Sequence, residues 1–224
     1  MKKIITIAIV VLLVLGFGFF LFKISPEQQQ TQSQTTEDFD LSGVKKLSEP
    51  ALATAEDRTL GNVSAKNTLL VYEDYQCPAC ALAADTLKQL SQQLPDTKFV
   101  FRNFPLYQIH KNAIVSAYAA ESAGEQGKYW EMHDLLYKNQ KDWSSLANPL
   151  DYFARLASQA GVINLEQFKT DITSKRFKNK IQKDLVEALG LSIPGTPAIY
   201  FNGKVIANNS LENMKKEAEQ YVVK

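Results

Sequence analysis

The two cysteines of the chain are separated by two residues, in the sequence Cys77-Pro78-Ala79-Cys80. Thiols at this spacing can exchange with disulfides, contribute to a metal site, or close a short structural loop. A disulfide that closes so short a loop removes little entropy from the unfolded chain, so it stabilises a fold poorly. A zinc site normally needs four ligands, and the sequence has no second cysteine pair. The pattern therefore favours redox chemistry, with no metal and no cofactor besides the cysteine pair itself.

Pro78 indicates where a helix begins. Proline suits the first position of a helix, which makes Cys77 the N-cap. A sulfur at that position can accept hydrogen bonds from the free N–H groups of Ala79 and Cys80, and it faces the positive end of the helix dipole. Both effects favour the thiolate, so we expect a lowered pKa for Cys77. Cys80 lies one turn further along, in line with Leu87, and is predicted to be a sheltered resolving thiol.

The residues on either side of the cysteines predict an α/β domain. Short runs rich in β-forming residues indicate strands, and apolar residues spaced three and four apart indicate helices. In chain order these are a strand at 67–75, a helix at 78–94, a strand at 98–102, a helical block at about 111–189, a hairpin at 198–206 that turns at Asn202-Gly203, and a last helix at 210–223. The order is that of an α/β domain with helices inserted in its middle.

Local signals predict some helix ends within the helical block. Asn148-Pro149 is typical of a helix start, and Asn164 with Gln167 resembles a capping box. Gly161 is placed to close the helix that begins at Asn148-Pro149, and Gly190 is placed to close the last helix of the block.

The N-terminal region predicts attachment to a membrane. From Ile4 to Phe22 no residue is charged, an amide or proline, and about 20 apolar residues suffice to span a bilayer as a helix. A cleaved signal peptide is the alternative, but its apolar region is usually shorter and no small-x-small cleavage pattern follows. We therefore predict a signal-anchor helix at 1–23, a flexible polar linker at 24–42, and a folded domain at 43–224.

Charge predicts the orientation of this anchor and excludes one class of partner. Lys2 and Lys3 precede the apolar run, so the positive-inside rule places the N-terminus in the cytoplasm and the folded domain on the extracytoplasmic side of the cell membrane. The whole chain has 25 basic and 24 acidic residues. This balance lacks the basic surface of a nucleic-acid-binding protein.

Four motifs occur in an order that resembles the DsbA-like thioredoxin-fold family of extracytoplasmic thiol:disulfide interchange proteins. They are Asp74-Tyr75-Gln76-Cys77-Pro78-Ala79-Cys80, Arg102-Asn103-Phe104-Pro105-Leu106, Tyr129-Trp130-Glu131-Met132-His133-Asp134 and Gly195-Thr196-Pro197-Ala198. The resemblance covers roughly 61–222. It implies a thioredoxin-like fold with a helical insertion at about 111–189, between the second strand and the cis-proline strand.

The resemblance also implies roles for individual residues. Cys77 matches the attacking cysteine of the family, and Cys80 matches its resolving cysteine. Thr196-Pro197 matches the loop whose proline is cis and faces the disulfide. From pattern alone, Pro197 could equally belong to an ordinary turn, but a cis proline there would leave the backbone of Thr196 free to pair with an extended substrate.

The chain departs from the family pattern at two positions. Relatives often carry an acid six residues before the first cysteine, where this chain has Val71. Glu73 or Asp74 could replace it through a water molecule, although an exposed position is the expectation for each. The second departure is Ala79, where strong oxidases have a histidine. For His133, within an aromatic helix, the expectation is a packed and hydrogen-bonded side chain.

The sequence therefore predicts a membrane-tethered thiol–disulfide oxidoreductase that donates its Cys77–Cys80 disulfide to exported proteins during folding. Its expected partners are the thiols of those proteins and a membrane redox protein that reoxidises the enzyme. Two alternatives remain open at this stage. One is a reductase or isomerase of the same fold, and the other is a redox-inert module that binds peptides at Thr196-Pro197.

Overall fold

The computed structural model describes residues 39–207 and 210–222. The predicted anchor at 1–23 and the linker up to residue 38 lie outside the described residues. Within the two described ranges, no helix is both long enough and apolar enough to cross a membrane.

A mixed sheet of five strands forms the centre of the domain. The strands are β1 (Arg58–Gly61), β2 (Asn67–Glu73), β3 (Thr97–Asn103), β4 (Ala198–Phe201) and β5 (Lys204–Ile206). Their spatial order is β1-β3-β2-β4-β5. Only β2 and β3 pair in parallel, and the other neighbours are antiparallel. Together with the surrounding helices, this is a thioredoxin-like α/β fold.

Eight helices surround the sheet in the described part of the chain. They are α1 (Pro78–Gln93), α2 (Ala113–Glu125), α3 (Tyr129–Lys138), α4 (Gln140–Trp143), α5 (Leu150–Gln159), α6 (Leu165–Thr173), α7 (Lys178–Gly190) and α8 (Leu211–Gln220). Helices α2 to α7 lie between β3 and β4, where the sequence predicts the insertion. The first cysteine is the N-cap of α1, and Pro78 is its first residue.

Side chains of the central strand β2 alternate between two layers of the core. Leu69 and Val71 pack on the side of α1 and α8, whereas Leu70 and Tyr72 pack on the side of α7. A third cluster fills the helical insertion, with Trp143 and the other large residues of α3 to α6. Both cysteines belong to this third cluster, so the insertion provides the wall against which the redox pair packs.

Strand β1 is absent from the sequence prediction. Its four residues are partly exposed or exposed and lack a buried alternating face. They are held by antiparallel pairing with β3, in which Arg58 lies opposite Phe101. Because this pairing is tertiary, the local sequence contains little signal for it.

The helix α7 ends at Gly190, as predicted, but this glycine does not provide a left-handed turn. Gly190 is the last residue within α7, and the left-handed position that follows is Ser192, with φ 57°. A Cβ atom at position 190 would collide with the carbonyl oxygen of Lys45. The N–H of Leu47 donates to the Gly190 carbonyl at 2.8 Å. The glycine is therefore needed for close packing of the preceding segment, rather than for a turn.

Other local predictions are confirmed. The side chain of Asn164 accepts a hydrogen bond from the N–H of Gln167 and caps α6. Gly161 follows α5 with φ 86°. Asn202 and Gly203 both have positive φ, 46° and 81°, as a tight turn between antiparallel strands requires.

Candidate active site

The two thiols lie at the first turn of α1. Cys77 has extended backbone angles, φ −72° and ψ 120°, and its carbonyl oxygen accepts the first helical hydrogen bonds from Cys80 and Ala81. Both cysteines are free thiols. Cys77 is 7% exposed and Cys80 is 2% exposed. Of the two sulfurs, that of Cys77 is therefore the more accessible to a reactant.

The pKa values of the two thiols are shifted in opposite directions. The pKa of Cys77 is lowered to about 5, chiefly because the thiol of Cys80 donates a hydrogen bond to it. The hydroxyl group of Thr196 and the N–H groups of Cys80 and Ala79 lower it further, against the effect of burial. Neither the N–H group of Cys80 nor that of Ala79 forms a regular N-cap hydrogen bond to the sulfur of Cys77. Burial raises the pKa of Cys80 well above its ordinary value, and the hydrogen bond to Cys77 adds to this.

The second part of the site comes from the loop before β4. The Thr196–Pro197 peptide bond is cis. Strand β4 pairs with β2, with Ala198 opposite Tyr72, and this pairing brings the loop beside the cysteines. The sulfur of Cys77 lies 3.3 Å from the carbonyl oxygen of Thr196, to which the thiol can donate.

Asp74 holds the loop that leads into the first cysteine. One oxygen of its carboxylate accepts from the N–H of Gln76 at 2.7 Å. The other accepts from the N–H of Leu106 at 2.9 Å and lies 2.7 Å from Nδ1 of His110. The carbonyl oxygen of Asp74 accepts from the N–H of Cys77 at 3.0 Å. This carboxylate therefore fixes the reactive loop to the segment that follows β3.

Gln140 is a supporting residue that the sequence analysis missed. Its side-chain amide donates to the carbonyl oxygens of Tyr75 and Cys77, at 2.8 and 2.9 Å. The residue begins α4 and is buried. An amide side chain on an otherwise apolar helical face could have indicated a role for Gln140, because a buried polar group needs hydrogen-bond partners.

The expectation that Glu73 and Asp74 are exposed is wrong. Glu73 is 4% exposed and Asp74 is 2% exposed. Glu73 is the last residue of the central strand β2, and Asp74 follows it. Because β2 is covered on both faces, neither side chain reaches the surface. Each acid has a partner that local sequence does not reveal, because buried charges need compensation. Asp74 has backbone N–H donors and His110, and Glu73 has His133.

His133 is packed and hydrogen-bonded, as predicted. It is buried among the rings of Tyr75, Phe101, Tyr129, Trp130 and Tyr137. Its Nε2 lies 3.2 Å from Oε1 of Glu73, and its Nδ1 lies 3.2 Å from Oδ1 of Asp134. Burial by itself favours the neutral ring, but the charge of Glu73 and the contact with Asp134 together raise the pKa of His133 to about 9. His133 is thus an imidazolium at neutral pH.

The described residues contain no cluster of three or more His, Cys, Asp or Glu side chains arranged to hold a metal ion. Both histidines of the chain lie beside carboxylates, His110 beside Asp74, and His133 between Glu73 and Asp134.

Comparisons with known proteins identify the family. The sequence pattern of the family described as Thioredoxin matches residues 53–219. The chain is 31% identical over 179 residues to the probable disulfide bond formation protein D of Bacillus cereus, covering 77% of this chain and 82% of that protein. The crystal structure of oxidised BdbD from Bacillus subtilis superposes with a TM-score of 0.68 at 25% identity, covering 79% of this chain and 96% of that one.

A further match is to a much longer protein. The chain is 34% identical over 148 residues to the Na(+)/H(+) antiporter NhaA 1 of Salinispora arenicola, covering 66% of this chain. The matched region is 22% of the length of that antiporter.

A thioredoxin-like sheet that carries a Cys-x-x-Cys pair at a helix start, opposite a cis proline, defines a thioredoxin-fold protein with a redox site. The chain belongs to the thioredoxin family, in its DsbA-like group.

Proposed function

We propose that this protein is a membrane-tethered, extracytoplasmic oxidase that donates its Cys77–Cys80 disulfide to exported proteins as they fold. The observation that carries the proposal is the opposite shift of the two thiol pKa values beside the cis Thr196–Pro197 bond. This arrangement provides one nucleophilic sulfur next to a substrate-facing backbone and one sheltered sulfur behind it.

The reaction proceeds by two exchanges. A substrate thiolate attacks the sulfur of Cys77 in the disulfide, a mixed disulfide forms, and Cys80 leaves with the electron pair. A second thiolate of the substrate then attacks the substrate sulfur of the mixed disulfide. The substrate gains a disulfide, and Cys77 leaves as a thiolate. The enzyme is now reduced, and a membrane redox protein must reoxidise it; no separate cofactor takes part.

The direction of the reaction follows from the stability of the reduced form. A thiolate stabilised at Cys77 is a good leaving group and makes the dithiol form more favourable, which makes the disulfide a stronger oxidant. The lowered pKa of Cys77, about 5, therefore supports an oxidase rather than a reductase. The name of the Bacillus cereus relative, a probable disulfide bond formation protein, agrees with this direction.

The proposed location rests on the apolar run Ile4–Phe22 and the lysines that precede it. A single membrane helix there would keep the redox domain at the extracytoplasmic face, where disulfides form and persist. Exported proteins with free thiols are the substrates available at that face.

Serine variants of the two cysteines test the proposal. Oxidative refolding of a reduced disulfide-containing substrate is measured beside reduction of insulin. Cys77→Ser should abolish both reactions, and Cys80→Ser should accumulate mixed disulfides because the resolving thiol is gone. An oxidase refolds the reduced substrate faster than it reduces insulin. The reverse preference would make the protein a reductase, and full activity in Cys77→Ser would contradict the mechanism.

A further inference from the structure

The buried thiol of Cys80 must exchange a proton, yet it has almost no contact with solvent. It is 2% exposed, and burial raises its pKa. The sulfur must lose a proton when it resolves a mixed disulfide, and it must gain one when it leaves the disulfide. Relatives often carry an acid at the position of Val71, which here is a fully buried apolar residue. Another group must therefore carry this proton.

We propose that Glu73, His133 and Asp134 form a proton path that connects the thiol of Cys80 with the surface. The proposal rests on the thiol–disulfide exchange function above and identifies the groups that serve its buried sulfur. It is carried by the position of His133 between two carboxylates, that of the buried Glu73 at the end of β2 and that of the exposed Asp134 of α3.

Glu73 is the inner end of the path. Side chains two residues apart on a strand point to the same face, so Glu73 faces the α1 side of β2, as Val71 does. Its side chain is only 3% exposed. Burial and the thiol of Cys77 are the main causes that raise the pKa of Cys80, and the negative charge of Glu73 adds to them. Glu73 is thus a buried base on the same side of the sheet as the resolving cysteine.

His133 connects this base with the outside. Its two ring nitrogens lie 3.2 Å from different carboxylates, Nε2 from Glu73 and Nδ1 from Asp134. The side chain of Asp134 is 46% exposed and is paired with Lys88 on the surface. An imidazole with a buried acid on one nitrogen and an exposed acid on the other can release a proton outward when its inner partner gains one.

The resolving step can be written with all atoms accounted for. The sulfur of Cys80 attacks Cys77 in the mixed disulfide, and its proton passes to the carboxylate of Glu73. A disulfide forms between Cys77 and Cys80, and the bond from Cys77 to the substrate sulfur breaks, so that the substrate leaves as a thiolate. His133, now beside a neutral acid, releases its Nδ1 proton through Asp134 to water. In the oxidase direction, Glu73 returns a proton to the departing Cys80, and His133 regains one at Nδ1.

Several other ionisable groups face this path and contribute to its pH dependence. They are Cys77 and Lys88 on or beside α1, Asp74 and Tyr75 in the loop before it, Arg58 of β1, Glu121 of α2, and Tyr129 and Tyr137 of α3. Burial and nearby negative charge raise the pKa values of Tyr75, Tyr129 and Tyr137 well above the ordinary value of tyrosine. These phenols therefore stay neutral across the range in which the path operates.

Glu73→Gln is the decisive variant. Reduced protein is mixed with oxidised glutathione, quenched in acid at intervals, and analysed by mass spectrometry for glutathionylated Cys77 and for the Cys77–Cys80 disulfide. As the proton acceptor is lost, resolution should slow about 100-fold at pH 7, the lower end of general acid–base contributions. The defect should shrink at high pH, where Cys80 ionises without help.

A purely electrostatic role of Glu73 predicts the opposite result. The carboxylate raises the pKa of Cys80, so its removal would make more thiolate and speed resolution. Resolution as fast as in the wild type, or faster, would overturn the proposal. The rate of Cys77 alkylation by iodoacetamide is measured in the same variant, because a general loss of structure would alter this rate as well.

Two further variants complete the test. Glu131→Gln, an exposed change on the same helix, should leave both rates unchanged. Asp134→Asn alters only the exposed end of the path and should slow resolution less than Glu73→Gln does, without changing Cys77 alkylation. Asp134→Asn can decide the question even if Glu73→Gln fails to fold. If the rate of resolution in Asp134→Asn depends on pH as it does in the wild type, the proposed proton path is wrong. If the wild-type protein itself forms no disulfide from glutathione, the proposed function fails, and not only the path.

Discussion

The sulfur of Cys77 lies 3.3 Å from the carbonyl oxygen of Thr196, although the two residues are 119 positions apart. The contact results from the antiparallel pairing of β2 with β4, because Cys77 follows the end of β2 and Thr196 precedes the start of β4. An extended chain that pairs with the backbone of Thr196 is therefore held beside the reactive sulfur. The pairing of β2 with β4 thus places the reactive sulfur beside the backbone at which a substrate would bind.

We expect the thiolate of Cys77 to titrate near pH 5. The absorbance of reduced protein at 240 nm should fall as the pH is lowered through that value, because the lowered pKa keeps Cys77 ionised above it. Alkylation by iodoacetamide should follow the same curve. The step should be missing in Cys77→Ser, and a midpoint near the free thiol value of about 8.5 would contradict the assigned environment.

The same shift predicts how the stability of the reduced protein depends on pH. The pKa is lower in the folded than in the unfolded state, so the stabilisation is complete above the unfolded value of about 8.5 and is lost as the pH falls to 5. In urea unfolding, reduced wild type should gain stability relative to reduced Cys77→Ser as the pH rises from 5 to 8. A difference in the free energy of unfolding that does not change with pH would contradict the lowered pKa of Cys77.

Thr196→Val tests how much the buried hydroxyl group of Thr196 contributes to the lowered pKa of Cys77. Valine keeps the shape of threonine but cannot donate a hydrogen bond, and a hydrogen bond to a charged group is worth about 1.5–3 kcal/mol. We expect the pKa of Cys77 to rise by about one unit and the disulfide to become less oxidising. Thr170→Val, on the exposed side of α6, is the matched control. Equal pKa values in the two variants would remove the hydroxyl from the mechanism.

The sequence was most informative where structure depends on neighbouring residues. Pro78 fixes the start of α1, and Asn202-Gly203 fixes a turn with two positive φ angles, so both could be predicted. The location of Cys77 at the N-cap follows from the same local rule. The reactivity of the Cys77 thiol could therefore be predicted from the sequence as well.

Features that depend on distant partners could not be predicted. The burial of Glu73 requires His133, which α3 supplies from another part of the chain. Likewise Gln140 reaches the carbonyl of Cys77 only because the insertion folds back over the cysteines. A charged or polar residue read in isolation is expected at the surface, and tertiary pairing overturned that expectation at both positions.

Gly190→Ala should destabilise the protein although alanine is the better helix former. In an open helix the change would stabilise by about 1 kcal/mol. Here the added methyl group meets the carbonyl of Lys45 and the side chain of Leu47, and overpacking of this kind costs about 1–3 kcal/mol. Urea unfolding measures the difference. Gly43→Ala, with nothing within 4 Å of the added atom, is the control, and equal stabilities of the two variants would show that the segment moves aside freely.

Ala79 influences the reduction potential of the Cys77–Cys80 pair. Ala79 is exposed at the first turn of α1, between the two cysteines. It provides an N–H group but no positive charge, so the thiolate depends on Cys80, Thr196 and the backbone. With the pKa of Cys77 at about 5, between the values near 7 of thioredoxin and 3.5 of DsbA, the potential should fall between their values of about −270 and −120 mV.

Ala79→His should make the protein a stronger oxidant. An imidazolium beside the thiolate favours the anion, and each unit by which the pKa of Cys77 falls is worth about 30 mV in this two-electron couple. The exposed position leaves room for the ring. Equilibration with glutathione measures the potentials of wild type, Ala79→His and Ala79→Gln, the last being similar in size but uncharged. We expect the histidine variant alone to be more oxidising below pH 6.5, where the ring is charged. Equal potentials of the histidine and glutamine variants would refute the electrostatic argument, and a wild-type potential at or below that of thioredoxin would assign the protein to the reductases.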